Sequence, residues 1–98
     1  MELRHLRSFL VLCETLHFGQ AAESLHIVQP ALTKQIKELE VALGSKLFDR
    51  NKRNVALTHE GVYFKERCKE LMTILDQSKK EVNWISEGEK GEIKIGYV

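Results

Sequence analysis

The chain contains a single proline, Pro30, and its place between two helical patterns restricts the fold more than any other residue. Before it, Ala21, Ala22 and Leu25 lie on one face of a short helix predicted over residues 20–25. His26-Ile27-Val28 then reads as a tight turn. After it, Leu32, Ile36, Leu39 and Leu43 recur at four, three and four residues, the mark of a buried helical stripe, and Gly44 follows as a natural C-cap. Proline costs nothing at a helix start, where its missing N–H has no intrahelical partner and its fixed φ is already helical. A short helix, a turn of about four residues and a second helix make a helix-turn-helix.

The flanking segments complete a mainly α fold. Leu3, Leu6, Phe9, Leu10, Cys13 and Leu16 predict a first helix with one apolar face. Beyond Gly44 the period shortens: Leu47-Phe48-Asp49-Arg50 and Val55-Ala56-Leu57 are strand-like, and the polar group Asn51-Lys52-Arg53-Asn54 between them predicts a small hairpin with a basic tip. Thr58 is a good N-cap. From there a long helix is predicted over residues 59–86, with Phe64, Cys68, Leu71, Leu75, Ser78, Val82 and Ile85 in an a/d repeat. At about 1.5 Å per residue such a helix outruns one small domain, and a second copy of itself is the simplest cover for its stripe. Gly88 to Gly91 should end it. The alternation Glu92-Ile93-Lys94-Ile95-Gly96-Tyr97 predicts a strand belonging to a further domain. The expected division is therefore 1–58 for a three-helix bundle with a hairpin wing, 59–87 for a linker and dimerisation helix, and 88–98 for a hinge and first strand.

Charge narrows the function. Lys and Arg number 15 against 14 Asp and Glu, so bulk charge is not a binding device. Residues 28–54, however, hold six basic side chains (Lys34, Lys37, Lys46, Arg50, Lys52, Arg53) against three acidic ones, whereas residues 58–98 hold seven against eight. A local basic patch on a near-neutral chain suits a specific anionic partner. No apolar run reaches the length of a membrane span. Two cysteines without disulfide or CxxC spacing favour a reducing cytoplasm. The histidines His5, His17, His26 and His59 have no ligand spacing with them, so no zinc site is expected. No phosphate loop, carboxylate pair or nucleophile–base arrangement argues for an enzyme.

The outward face of the Pro30 helix carries the chemistry. A helix fits the DNA major groove, where each base pair displays its own donor and acceptor pattern. Gln29 can bridge adenine N6/N7, Lys34 can reach guanine O6/N7, and Thr33 offers a hydroxyl and a methyl for thymine. Pro30 and Ala31 allow close apolar approach, and Lys37 continues the face. Arg50, Lys52 and Arg53 on the hairpin would touch phosphates or enter the adjacent minor groove. The partner implied is double-stranded DNA, bound by a homodimer through Phe64, Cys68, Leu71, Leu75, Ser78, Val82 and Ile85. A rival from another class is a helical adaptor that uses the heptad helix alone.

The stretch FGQAAESLHIVQPALTKQIKELEVALGSKLFDRNKRNVALTHEG resembles the winged helix-turn-helix of LysR-type transcriptional regulators. The resemblance rests on Phe18, Ala21-Ala22, Leu25, Gln29 to Leu32, Gln35-Ile36, Leu39-Glu40, Leu43-Gly44, Leu47-Phe48, Arg50, Leu57-Thr58 and Gly61. It implies a bacterial sequence-specific regulator, dimeric through an antiparallel linker helix and tetrameric in the full-length protein, working with RNA polymerase. It also implies a small-molecule inducer bound in a further C-terminal domain, with no cofactor in this segment. Two positions depart from the family pattern. Val28 replaces the usual serine before the Gln-Pro pair, which leaves the recognition helix without a capping side chain. Thr33-Lys34 replaces Ser-Arg, exchanging a forked guanidinium for a point charge.

Overall fold

The structure, a computed structural model, describes residues 1–51 and 53–90. In order it comprises helix α1 (Leu3–Thr15), α2 (Phe18–Leu25), α3 (Gln29–Leu43), strands β1 (Phe48–Arg50) and β2 (Val55–Leu57), and helix α4 (His59–Lys90). Lys52 and the strand expected at 92–98 lie outside the described residues. The chain divides into two units, Met1–Cys68 and a second beginning at Lys69. The first unit thus runs ten residues past the boundary expected after Thr58, because the opening turns of α4 pack into its core.

That core is built on α1, α2 and α3. Phe9, Leu12, Ala21, Leu32, Ile36 and Leu39 have no exposed surface. Phe9 meets Phe48 of β1 at 5.5 Å and Phe64 of α4 at 5.2 Å between ring centroids, both tilted, an arrangement that aromatic quadrupoles favour. The buried face of α1 is His5, Ser8, Phe9, Leu12 and Cys13. Leu3 and Leu16, expected on that face, are exposed at the two ends of the helix. Leu43, expected on the α3 stripe, is exposed as well, at the last residue of the helix. Apolar periodicity locates a stripe but not the polar residues that share it. Ser8 bonds Gln35 across α1 and α3, and His5 accepts the Glu2 N–H through Nδ1 while Nε2 faces Glu38 Oε1 at 3.3 Å.

Local chemistry explains the helix ends. α2 begins two residues earlier than the sequence predicts because His17 caps it, Nδ1 accepting the Gln20 N–H at 3.0 Å. α1 and α2 end on Leu16 and His26 in the left-handed conformation (φ 51° and 58°), without glycine. Gly44 ends α3 at φ 73°, as its position predicts. α3 begins at Gln29, one residue before Pro30, and Val28 at its N-cap makes no side-chain capping bond. The strands pair antiparallel with Phe48 opposite Leu57 and Arg50 opposite Val55.

Thr58 locks the hairpin to α4. Its Oγ1 accepts the Gly61 N–H at 3.0 Å and donates to the Lys46 carbonyl at 2.7 Å, while its own N–H bonds the Leu47 carbonyl. Phe64 and Cys68, expected on a dimer seam, belong instead to this core: Cys68 is wholly buried and its thiol lies 3.7 Å from the Leu6 carbonyl. Burial pushes that thiol's pKa up. From Lys69 the same helix presents Leu71, Ile74, Val82 and Trp84 exposed and Leu75 and Ile85 half-buried, with the exposed Ser78 hydroxyl bonded to the Ile74 carbonyl. The helix continues through Gly88 to Lys90, so the hinge expected from residue 88 is helical over its first three residues. Among the described residues no helix is long and apolar enough to cross a membrane.

Candidate nucleic-acid interface

α3 separates its two faces sharply. Leu32, Ile36 and Leu39 are fully buried, and this anchors the opposite face in one orientation. On that opposite face Gln29, Pro30, Lys34 and Lys37 are exposed, while Ala31 and Thr33 are half-buried at its margins. The first two turns of α3 thus project Gln29, Pro30 and Lys34 outward, and Lys37 follows them. Val28, 70% exposed, stands at the head of the helix with no capping oxygen, leaving helix-end N–H groups and the positive end of the dipole turned outward.

The hairpin reaches the same side. A groove of about 580 Å³ is lined by Thr15, His17, Phe18, Gln20 and Gln29 together with Arg53, Asn54 and Val55 of the hairpin. It brings together Gln29 and Arg53, which the sequence places 24 positions apart. His17 and Gln20 on this groove were not legible as site residues, because a histidine and a glutamine at a helix start carry no motif. The hairpin tip is shaped by Asn51, whose Oδ1 accepts the N–H groups of Arg53 and Asn54 at 3.0 and 2.7 Å. Such an Asx turn fixes the chain without needing glycine. Lys52 lies outside the described residues.

Arg50 is placed differently from the sequence expectation. Its guanidinium lies 4.7 Å over the Phe18 ring and 3.7 Å from Glu40 Oε1, turned toward α2 and α3 rather than out with the hairpin tip. Glu40 is buried on α3, and its Oε2 accepts the Leu47 and Phe48 N–H groups at 2.8 and 3.2 Å. A buried carboxylate on the helix therefore clamps the start of β1. Glu40 carried a signal only as part of the Leu39-Glu40 resemblance, since an isolated acid beside an apolar stripe reads as a solvated residue.

Comparison with known proteins agrees with this geometry. The family described as bacterial regulatory helix-turn-helix protein, lysR family, matches residues 3–62. The HTH-type transcriptional regulator TfdT of Cupriavidus pinatubonensis is 40% identical over 97 residues, 99% of this chain and 42% of TfdT. AlsR of Bacillus subtilis is 42% identical over 98 residues, all of this chain and 32% of AlsR. The chain thus spans well under half the length of these relatives, all described as transcriptional regulators. Among solved structures, the BenM DBD in complex with benA site 1 DNA superposes with a TM-score of 0.85 at 41% identity, covering 90% of this chain and 99% of that one. The CbnR DBD–DNA complex gives 0.85 at 31% identity, covering 88% and 99%.

Proposed function

Because the chain belongs to the LysR family of bacterial regulatory helix-turn-helix proteins, we propose that it is the DNA-reading part of a transcriptional regulator. It lays α3 in a major groove and its hairpin wing against the flanking minor groove. Gln29, Thr33 and Lys34 read base edges, Pro30 and Ala31 allow close approach, and Lys37, Lys52 and Arg53 hold phosphates or the minor groove. The observation that carries this reading is the exposed set Gln29, Pro30 and Lys34, fixed by the fully buried stripe behind it, with Gln29 and Arg53 lining one groove.

The exposed apolar residues of α4 from Leu71 onward support a homodimer that grips two halves of an inverted repeat. In the dimer Leu71, Leu75, Ser78, Val82 and Ile85 meet the second copy. A linker helix reaching at least Lys90, a following effector domain with a small-molecule inducer, tetramers, RNA polymerase as a partner and a cytoplasmic location complete the proposal for the whole protein, which is a regulator and not an enzyme. The experiment is duplex binding against salt concentration. Affinity should fall linearly on a log–log plot, and Arg53→Ala should reduce the slope by about one. Binding insensitive to both salt and Arg53 would favour the adaptor reading instead.

A further inference from the structure

The wing and α3 can read one DNA site together only if their relative placement is fixed, and three side chains span that junction. Glu40 of α3 has a side chain 4% exposed, with Oε2 spent on the N–H groups that open β1. Among the described residues its Oε1 has no hydrogen bond, and the cations beside it are Arg50 at 3.7 Å and Lys46 at 4.0 Å. The Lys46 side chain is 72% exposed and that of Arg50 31%, so water screens the first far more than the second. The Arg50 guanidinium also covers Phe18 of α2, and Phe18 in turn meets Phe48 of β1 edge-on at 6.5 Å. One side chain at the end of β1 thus touches both helices of the helix-turn-helix.

We propose that Arg50 is a positioning residue, which ties the wing to α3 through Glu40 and to α2 through Phe18 and so sets the register between bases read by α3 and the flank read by Arg53. This rests on the DNA-reading role above. A guanidinium that swung out to a phosphate would leave the buried Glu40 Oε1 facing, among the described residues, only the solvated Lys46. Burial makes an unmatched carboxylate costly, so the inward position is the favoured one. Lysine cannot replace it, because a point charge neither stacks flat on Phe18 nor spans two partners.

The test is selection of binding sites from randomised duplexes, at one stated salt concentration, with the 98-residue chain and with Arg50→Lys, Arg50→Gln and Phe18→Leu. The wild-type chain should select a central tract read by α3 and a flanking tract under the wing. All three variants should keep the central preference and lose the flanking one, from about tenfold to about twofold discrimination. A phosphate contact behaves otherwise: Arg50→Gln would weaken every duplex equally with both preferences intact, and Arg50→Lys would restore binding. Either result overturns the proposal, as does a wild-type selection with a central tract and no flank. A wild-type chain that selects no sequence at all refutes the DNA-reading role itself, which keeps the two failures apart. Phe18→Leu leaves both charges in place, so it decides the matter if an Arg50 variant fails to fold by thermal melt; an unchanged flank preference in it also overturns the proposal.

Discussion

Gly61 sits in the first turn of a helix, where alanine ordinarily stabilises by about 1 kcal/mol. Here the substitution Gly61→Ala should do the reverse. A Cβ at this position would run into the Leu47 carbonyl oxygen and lie 2.9 Å from Leu57 Cδ2. The leucine side chain can rotate away, but the carbonyl is backbone. It accepts the Thr58 N–H at 3.0 Å, and the Leu47 N–H is held by Glu40 at 2.8 Å. Moving it strains both bonds that fasten the hairpin. Overpacking of this kind costs about 1–3 kcal/mol, and a weakened hydrogen bond adds about 1 kcal/mol. Set against the helix-propensity gain, the net loss is about 1–3 kcal/mol. For a unit of this size that lowers the melting temperature by about 5–20 °C. Thermal unfolding followed by circular dichroism at 222 nm measures it, at a single protein concentration because the proposed dimerisation would make the midpoint concentration-dependent. A midpoint equal to or above that of the wild type would refute the close-approach explanation.

Other substitutions probe separate parts of the structure. Val28→Ser should supply the missing cap of α3 and stabilise the DNA-free chain by about 0.5–1 kcal/mol; urea unfolding with no shift in midpoint would argue against an uncapped helix end. Glu40→Ala removes the acceptor of two buried N–H groups and the counter-charge of Arg50, and should cost about 3 kcal/mol or more. Glu40→Gln, which retains one acceptor oxygen, should cost less, and equal losses for the two would show that the clamp is unimportant. Leu71→Glu places charge in the exposed stripe of α4 and should give a folded monomer by light scattering, while an undiminished dimer would show that another face pairs.

The helix-turn-helix was legible because its information is local: a stripe at helical spacing, one proline at a helix start and one glycine at its end. Gly44 shows this directly, adopting the left-handed cap its position calls for. Leu16 and His26 adopt the same conformation without the residue type that announces it, so those two helix ends were readable only from where the apolar pattern stopped. Long-range polar contacts left no periodic trace, and Glu40, Ser8 and His17 all act through partners that the fold alone supplies. The a/d repeat misled in an instructive way. Phe64 and Cys68 obey the same spacing as Leu71 and Leu75, yet the first pair fills the chain's own core and only the later residues are left uncovered. Spacing gives the face of a helix but not the body that covers it. Arg50 was assigned by its charge and its neighbours on a basic hairpin, while its placement is decided by a buried acid ten residues away and an aromatic ring on α2.

The central claim is that the N-terminal part of α3, from Gln29 to Lys34, reads bases. It is tested most directly by measuring the affinity of the wild-type chain and of Lys34→Ala for a selected operator and for each of its single-base-pair variants, all at one salt concentration. The account predicts a loss of about 1–3 kcal/mol confined to one or two base pairs in each half-site, with discrimination at those positions erased in the variant. A loss spread evenly over every duplex, with discrimination unchanged, would make Lys34 a phosphate contact and contradict the assignment of this face to the major-groove floor.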